Sequence, residues 1–148
     1  METQPDFREL LVLFNARHVE YLIVGGYALA FHGAPRFTGD LDIFVKPDTV
    51  NAQRILAALE AFGFTSVGLT ASDFARPDQV VQLGVPPVRI DLITSLTGVS
   101  WDEVWAGRVA GRYGDTPVSY IGREQFVANK RATGRTKDVA DLEVLGEV

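Results

Sequence analysis

The sequence predicts an α/β (α+β) fold: a small mixed β-sheet flanked by helices, with a helical C-terminus. Three observations lead there. The first half alternates helix, strand, helix, strand; the middle is rich in short β-type runs; and the last quarter carries helical patterning with a single glycine break. At 148 residues, 47% hydrophobic and 22% charged, the composition is that of a globular chain with enough apolar residues for one core. One domain over residues 1–148 is therefore expected.

From Asp6 to His18, residues Phe7, Leu10, Leu11 and Phe14 recur at helical spacing and mark an amphipathic helix. Glu20 to Val24 reads as a short buried strand ended by Gly25-Gly26, and Tyr27 to Phe31 as a helix stopped at Gly33-Ala34-Pro35. Asp40 to Val45 alternates polar and apolar residues and then turns wholly apolar, as a strand entering a core does. Asp48 suits the N-cap of a helix over Thr49 to Phe62, with Gly63 as its stop. Val80 to Val85 and Val88 to Thr94 read as strands joined across Pro86-Pro87. A short helix, Trp101 to Trp105, follows the cap Ser100. A hairpin pairs Arg108 to Tyr113 with Val118 to Ile121 around Gly114-Asp115. Helices over Arg123 to Ala132 and Thr136 to Leu145, broken at Gly134, complete the chain.

Composition narrows the chemistry. With no cysteine, disulfides, thiolate zinc sites and cysteine nucleophiles are excluded, and His18 and His32 are the only histidines. Any metal must rest on carboxylates, which favour hard ions such as Mg²⁺ or Mn²⁺. The net charge of −5 speaks against non-specific nucleic-acid binding, yet the stretch from Arg108 to Lys137 has seven basic residues against two acidic ones. That stretch is either a solvated basic face or a surface for a phosphate-bearing ligand. The charged N-terminus is unlike a signal peptide, and no apolar run is long enough for a membrane span, so a cytoplasmic protein with no membrane contact is expected.

Three features could carry chemistry, and each has a plainer alternative. Gly25-Gly26, at a strand-to-helix junction, is a tight turn or a place where phosphates approach bare backbone. Asp40 and Asp42 lie two apart on one strand, so both side chains take the same face. They are either a solvated pair or a cation site that relieves their repulsion. Asp91 sits among apolar residues of a later strand and needs a partner, either a cation or Arg89 on the same face. Among the remaining residues, His32 reads as a helix-end hydrogen-bonding residue, and Trp101 with Trp105 as one packed face. Tyr27 is either core or near a ligand.

In combination these features resemble the nucleotidyltransferase superfamily that includes DNA polymerase β. The matching residues are Val24-Gly25-Gly26, then thirteen residues (27 to 39), then Asp40-Leu41-Asp42-Ile43, and later Ile90-Asp91-Leu92. Gly25-Gly26-Tyr27-Ala28, Arg36 to Asp42 and the tail Asn129 to Leu142 are similar to the branch containing AbiEii-type toxins. The resemblance implies a nucleotidyltransferase fold and transfer of a nucleoside monophosphate from a nucleoside triphosphate, ATP for example, to a hydroxyl. The acceptor would be a protein, an RNA 3′ end or a small molecule. It implies that Asp40, Asp42 and Asp91 are the catalytic and metal-binding residues for Mg²⁺ or Mn²⁺, Asp91 doubling as general base. Gly25, Gly26, Arg36, Thr38 and Lys130 would hold the nucleotide, with Lys137 nearby and Asp138 and Asp141 orienting basic neighbours. A toxin–antitoxin-like setting with a partner protein belongs to the same expectation. The alternative is a regulatory, antitoxin-like binding protein of this fold with little or no catalysis.

Overall fold

The computed structural model describes residues 3–34, 39–64, 68–85 and 88–147. The elements are α1 (Pro5–Ala16), β1 (Tyr21–Val24), α2 (Gly25–Phe31), β2 (Asp40–Val45), α3 (Thr49–Phe62), α4 (Ser72–Ala75), β3 (Val80–Val85), β4 (Val88–Ile93), α5 (Trp101–Ala106), β5 (Val109–Tyr113), β6 (Thr116–Tyr120), α6 (Arg123–Thr133) and α7 (Thr136–Leu145). The strands form one six-stranded sheet in the order β3-β4-β2-β1-β6-β5. β2 runs parallel to β4 and β1 to β6, while the other neighbours are antiparallel. The sheet is mixed, as the sequence predicts, and β3 is a terminal strand whose Val80 and Val85 are exposed.

Local chemistry sets most boundaries. Asp48 accepts a hydrogen bond from the Asn51 N–H at 2.7 Å, and Gly63, at φ 109°, ends α3 in the left-handed conformation that a side chain would resist. Ser100 and Glu103 form a reciprocal capping box that starts α5. Phe7, Leu10, Leu11 and Phe14 are all buried, so α1 uses the apolar stripe its spacing predicts. In β2, Leu41, Ile43, Phe44 and Val45 are buried and the two aspartates are only partly so. The Phe44 face of β2 is covered by the Trp101 ring, edge-on at 5.0 Å, and Trp101 stacks on Trp105 at 5.3 Å. The two tryptophans are thus one packed face.

Where the elements differ from expectation, the cause is local. α2 begins at Gly25 rather than Tyr27, because Gly25 adopts φ 66° and turns the chain directly from strand into helix. α1 stops at Ala16, since His18 takes a left-handed conformation at φ 58°. β6 starts at Thr116, two residues early, with Pro117 opposite Arg112 near the strand's first residue, where proline is tolerated. The single turn α4, with Phe74 fully buried, was not anticipated; four residues carry no readable periodicity. His32 ends α2 and its Nε2 is 2.7 Å from the Ile121 carbonyl oxygen, while Tyr27 is core, edge-on to Phe7 and Tyr113. The Pro86-Pro87 connection lies outside the described residues. Among the described residues no helix is long and apolar enough to cross a membrane.

Candidate active site

Parallel pairing of β2 with β4 places Asp40 opposite Arg89 and Asp42 opposite Asp91. Alternation along each strand then puts all four side chains on one sheet face. They line a cleft of about 310 Å³ together with Val24, Gly25 and Gly26. The antiparallel partner of Asp42 is Val24, so the end of β1 delivers the diglycine directly beside that carboxylate. A Cβ on Gly25 would fall on Asp42 Oδ2, and φ 66° disfavours any side chain there. Gly25→Ala is expected to destabilise the protein by about 1–2 kcal/mol and to push Asp42 out of place. A urea unfolding midpoint equal to wild type would show that the contact is not tight.

The electrostatics are strained in one direction and relieved in another. Burial, then the charges of Asp91 and Asp40, push the Asp42 carboxyl up to about 6, with Lys137 offsetting only part of the rise. Arg89 relieves the other two acids. Its Nη2 donates to Asp40 Oδ2 at 2.7 Å and to Asp91 Oδ2 at 3.2 Å. Arg89 Nε lies 3.2 Å from Asp91 Oδ1, but the two are misaligned, and both atoms are buried without a hydrogen bond. The arginine partner anticipated for Asp91, which is 8% exposed, is therefore real, and it reaches Asp40 as well.

Three carboxylates on one face, one with a raised pKa and one with an orphaned buried oxygen, have the donor chemistry of a hard divalent ion. As they stand, Asp40 and Asp91 are arranged around Arg89. Among the described residues, no group of three or more histidine or acidic side chains is drawn together to hold a metal.

The opposite wall comes from α6 and α7 and is basic. Asn129, Lys130, Arg135 and Lys137 line the cleft, so three of the seven basic residues between Arg108 and Lys137 reach it. Others face elsewhere: Arg123 and Arg131 bind Glu147, and Arg108 lies over the Trp105 ring. Lys130 is committed. Its Nζ is 3.2 Å from Asp138 Oδ1 and 3.6 Å from Asp141 Oδ2, and its side chain is 9% exposed. Asp138 and Asp141 thus orient a basic neighbour, as expected, and Asp138 also holds Arg135 Nε at 2.8 Å. Sequence reasoning passed over Arg135 as a cleft residue; its position three residues before Asp138 is the signal that was there. Arg36 and Thr38 lie outside the described residues.

A mixed sheet with three acids on adjacent parallel strands thus lies beside a diglycine and faces a basic helix pair. No family model and no curated protein matches the chain. Solved structures do. A Thermotoga maritima protein assigned as a nucleotidyltransferase superposes with a TM-score of 0.63 at 13% identity, over 96% of this chain and 93% of that one. The antibiotic-resistance factor ANT(2'')-Ia gives 0.59 at 14% identity, over 95% and 80%. The lincosamide antibiotic adenylyltransferase LnuA, bound to lincomycin, gives 0.57 at 14% identity, over 97% and 96%. The chain has the nucleotidyltransferase fold.

Proposed function

We propose that this protein transfers a nucleoside monophosphate from a nucleoside triphosphate to a hydroxyl group, with Mg²⁺ or Mn²⁺ as its cofactor. The observation that carries the reading is the facing of Asp40, Asp42 and Asp91 across one cleft from Lys130, Arg135 and Lys137, with Gly25-Gly26 at the edge. Asp40, Asp42 and Asp91 would hold the divalent ion, which supplies charge neutralisation for the triphosphate and a more acidic acceptor hydroxyl. Gly25 and Gly26 leave bare backbone against which phosphates can lie. Arg135 and Lys137 balance the charge of the departing pyrophosphate, and Lys130 lines the same wall with its charge offset by Asp138 and Asp141. The acceptor oxygen bonds to the α-phosphorus as the bond to pyrophosphate breaks, and Asp91 takes the hydroxyl proton.

Small hydroxylated molecules are the first acceptor class to test, because LnuA is seen with lincomycin and ANT(2'')-Ia with adenylyl-2''-tobramycin. A toxin–antitoxin-like setting would instead supply a partner protein, so protein hydroxyls and RNA 3′ ends form the other arms. One observation favours the second reading, a regulatory protein of this fold with little or no catalysis: Arg89 already pairs with both Asp40 and Asp91. Incubation with α-labelled ATP, CTP, GTP or UTP, Mg²⁺ or Mn²⁺ and each acceptor class separates the two. Pyrophosphate release with label on the acceptor is expected, and Asp91→Asn should slow it about 100-fold or more. Nucleotide binding without pyrophosphate release in every combination would favour the regulatory protein.

A further inference from the structure

The charge quartet on β2 and β4 is lopsided. Asp40 and Arg89 form one cross-strand pair, and Asp42 and Asp91, two like charges, form the next pair in the same register. The guanidinium reaches across to Asp40 and along its own strand to Asp91, at 2.7 Å and 3.2 Å from Nη2. It thereby sits where a cation shared by those two carboxylates would have to enter. Arg89 is also part of the cleft lining, with a side chain 29% exposed, so it is not fixed in the core.

We infer that Arg89 is a displaceable gate: its guanidinium occupies the approach between Asp40 and Asp91 until the phosphates of a nucleotide draw it away and a divalent ion takes its place. The inference rests on the nucleotidyl-transfer reading, since only a phosphate-bearing ligand gives the guanidinium a new partner in the cleft. A guanidinium and a divalent ion compete for the same carboxylate oxygens and repel each other, so each weakens the other's hold. The gate opens by movement of the side chain, whose 29% exposure leaves it room to turn toward the cleft. The same planar donor fork that grips carboxylates grips phosphates. Its hold on Asp91 is one hydrogen bond at 3.2 Å, with Nε and Oδ1 3.2 Å apart yet unaligned, so the 2.7 Å bond to Asp40 is the contact the phosphates must outcompete. Metal and nucleotide then bind with reciprocal positive coupling, each favouring the other.

Mn²⁺ titration of the full chain, followed by electron paramagnetic resonance with and without a non-hydrolysable ATP analogue, tests this on wild type, Arg89→Gln and Arg89→Lys. Without nucleotide, Arg89→Gln is expected to bind Mn²⁺ roughly tenfold more tightly than wild type. Arg89→Lys keeps a charge but cannot span both carboxylates, and should fall between. The nucleotide analogue should strengthen Mn²⁺ binding in all three proteins, since its phosphates ligate the ion themselves, but by a several-fold larger factor in wild type than in Arg89→Gln. Melting curves confirm that the variants are folded, and Arg89→Lys alone decides the matter if Arg89→Gln is not. Equal or weaker Mn²⁺ binding by the variants without nucleotide overturns the gate, while wild-type binding of Mn²⁺ with the analogue leaves the transfer reading standing. No Mn²⁺ binding by any of the three proteins, with analogues of all four nucleotides, overturns the reading of the site and the gate with it.

Discussion

Asp42→Asn is expected to raise the melting temperature of the metal-free protein by about 5 °C and, at the same time, to abolish Mg²⁺-dependent nucleotide binding. Both effects have one origin. Burial and the neighbouring charges of Asp91 and Asp40 lift the carboxyl from 3.8 to about 6, so the folded state holds this proton more tightly than the unfolded chain does. The sign follows. Below pH 3.8 the side chain is neutral in both states and carries no penalty; the penalty grows as pH rises and is complete above about 6. It amounts to about 2 kcal/mol, allowing for partial solvation of the side chain. Unfolding curves at pH 4, 5, 6 and 7 should show the wild-type protein losing this increment and Asp42→Asn keeping it. A lower melting temperature for the variant at pH 7 would mean that Asp42 is structurally paired. Calorimetric binding of Mg²⁺ with ATP that survived in Asp42→Asn would remove this residue from the metal site.

The second large effect belongs to Asp138, where the sign is opposite. Asp138 is fully buried and accepts from Thr133 Oγ1 at 2.6 Å, from the Arg135 N–H at 3.2 Å and from Arg135 Nε at 2.8 Å, besides its pair with Lys130. Burial alone would push its carboxyl up, but the hydrogen bonds from Arg135, Thr133 and Lys130 more than reverse this and hold it well below the usual carboxylate range. Its contribution is therefore present above about pH 4 and lost as pH falls toward the folded-state value. Asp138→Ala is expected to cost about 3–5 kcal/mol, because it strips Lys130 of one partner in a buried setting and frees Arg135 and Thr133. Urea denaturation at pH 7 measures it. A loss under about 1 kcal/mol would show that Asp141 alone suffices for Lys130.

Much of the fold was legible because its determinants are close in sequence. β2 and α3 occupy the predicted residues, since a polar-to-apolar strand pattern, an aspartate cap and a terminal glycine are all local signals. The shared face of Asp40 and Asp42 follows from strand alternation alone. What stayed hidden depends on which elements meet. Arg89 was readable as a partner for Asp91, two residues away, but its grip on Asp40 exists only because β4 lies beside β2 in that register. Asn51 is buried and binds both the N–H and the carbonyl of Glu20, a bridge from α3 to the start of β1 that no periodicity reveals. The basic stretch read as one feature, yet Arg123 and Arg131 turn to Glu147 while Lys130 turns inward. The division depends on α7, which begins after the left-handed Gly134 and brings Asp138 and Asp141 to Lys130.

The order of the strands has one more consequence. Asp91 sits on the last strand but one, and β3 alone separates it from the margin of the sheet. One inter-strand step is roughly 5 Å. Among the described residues a single strand therefore stands between that carboxylate and the sheet edge, so an acceptor of the proposed reaction could approach across β3 as well as from the cleft mouth.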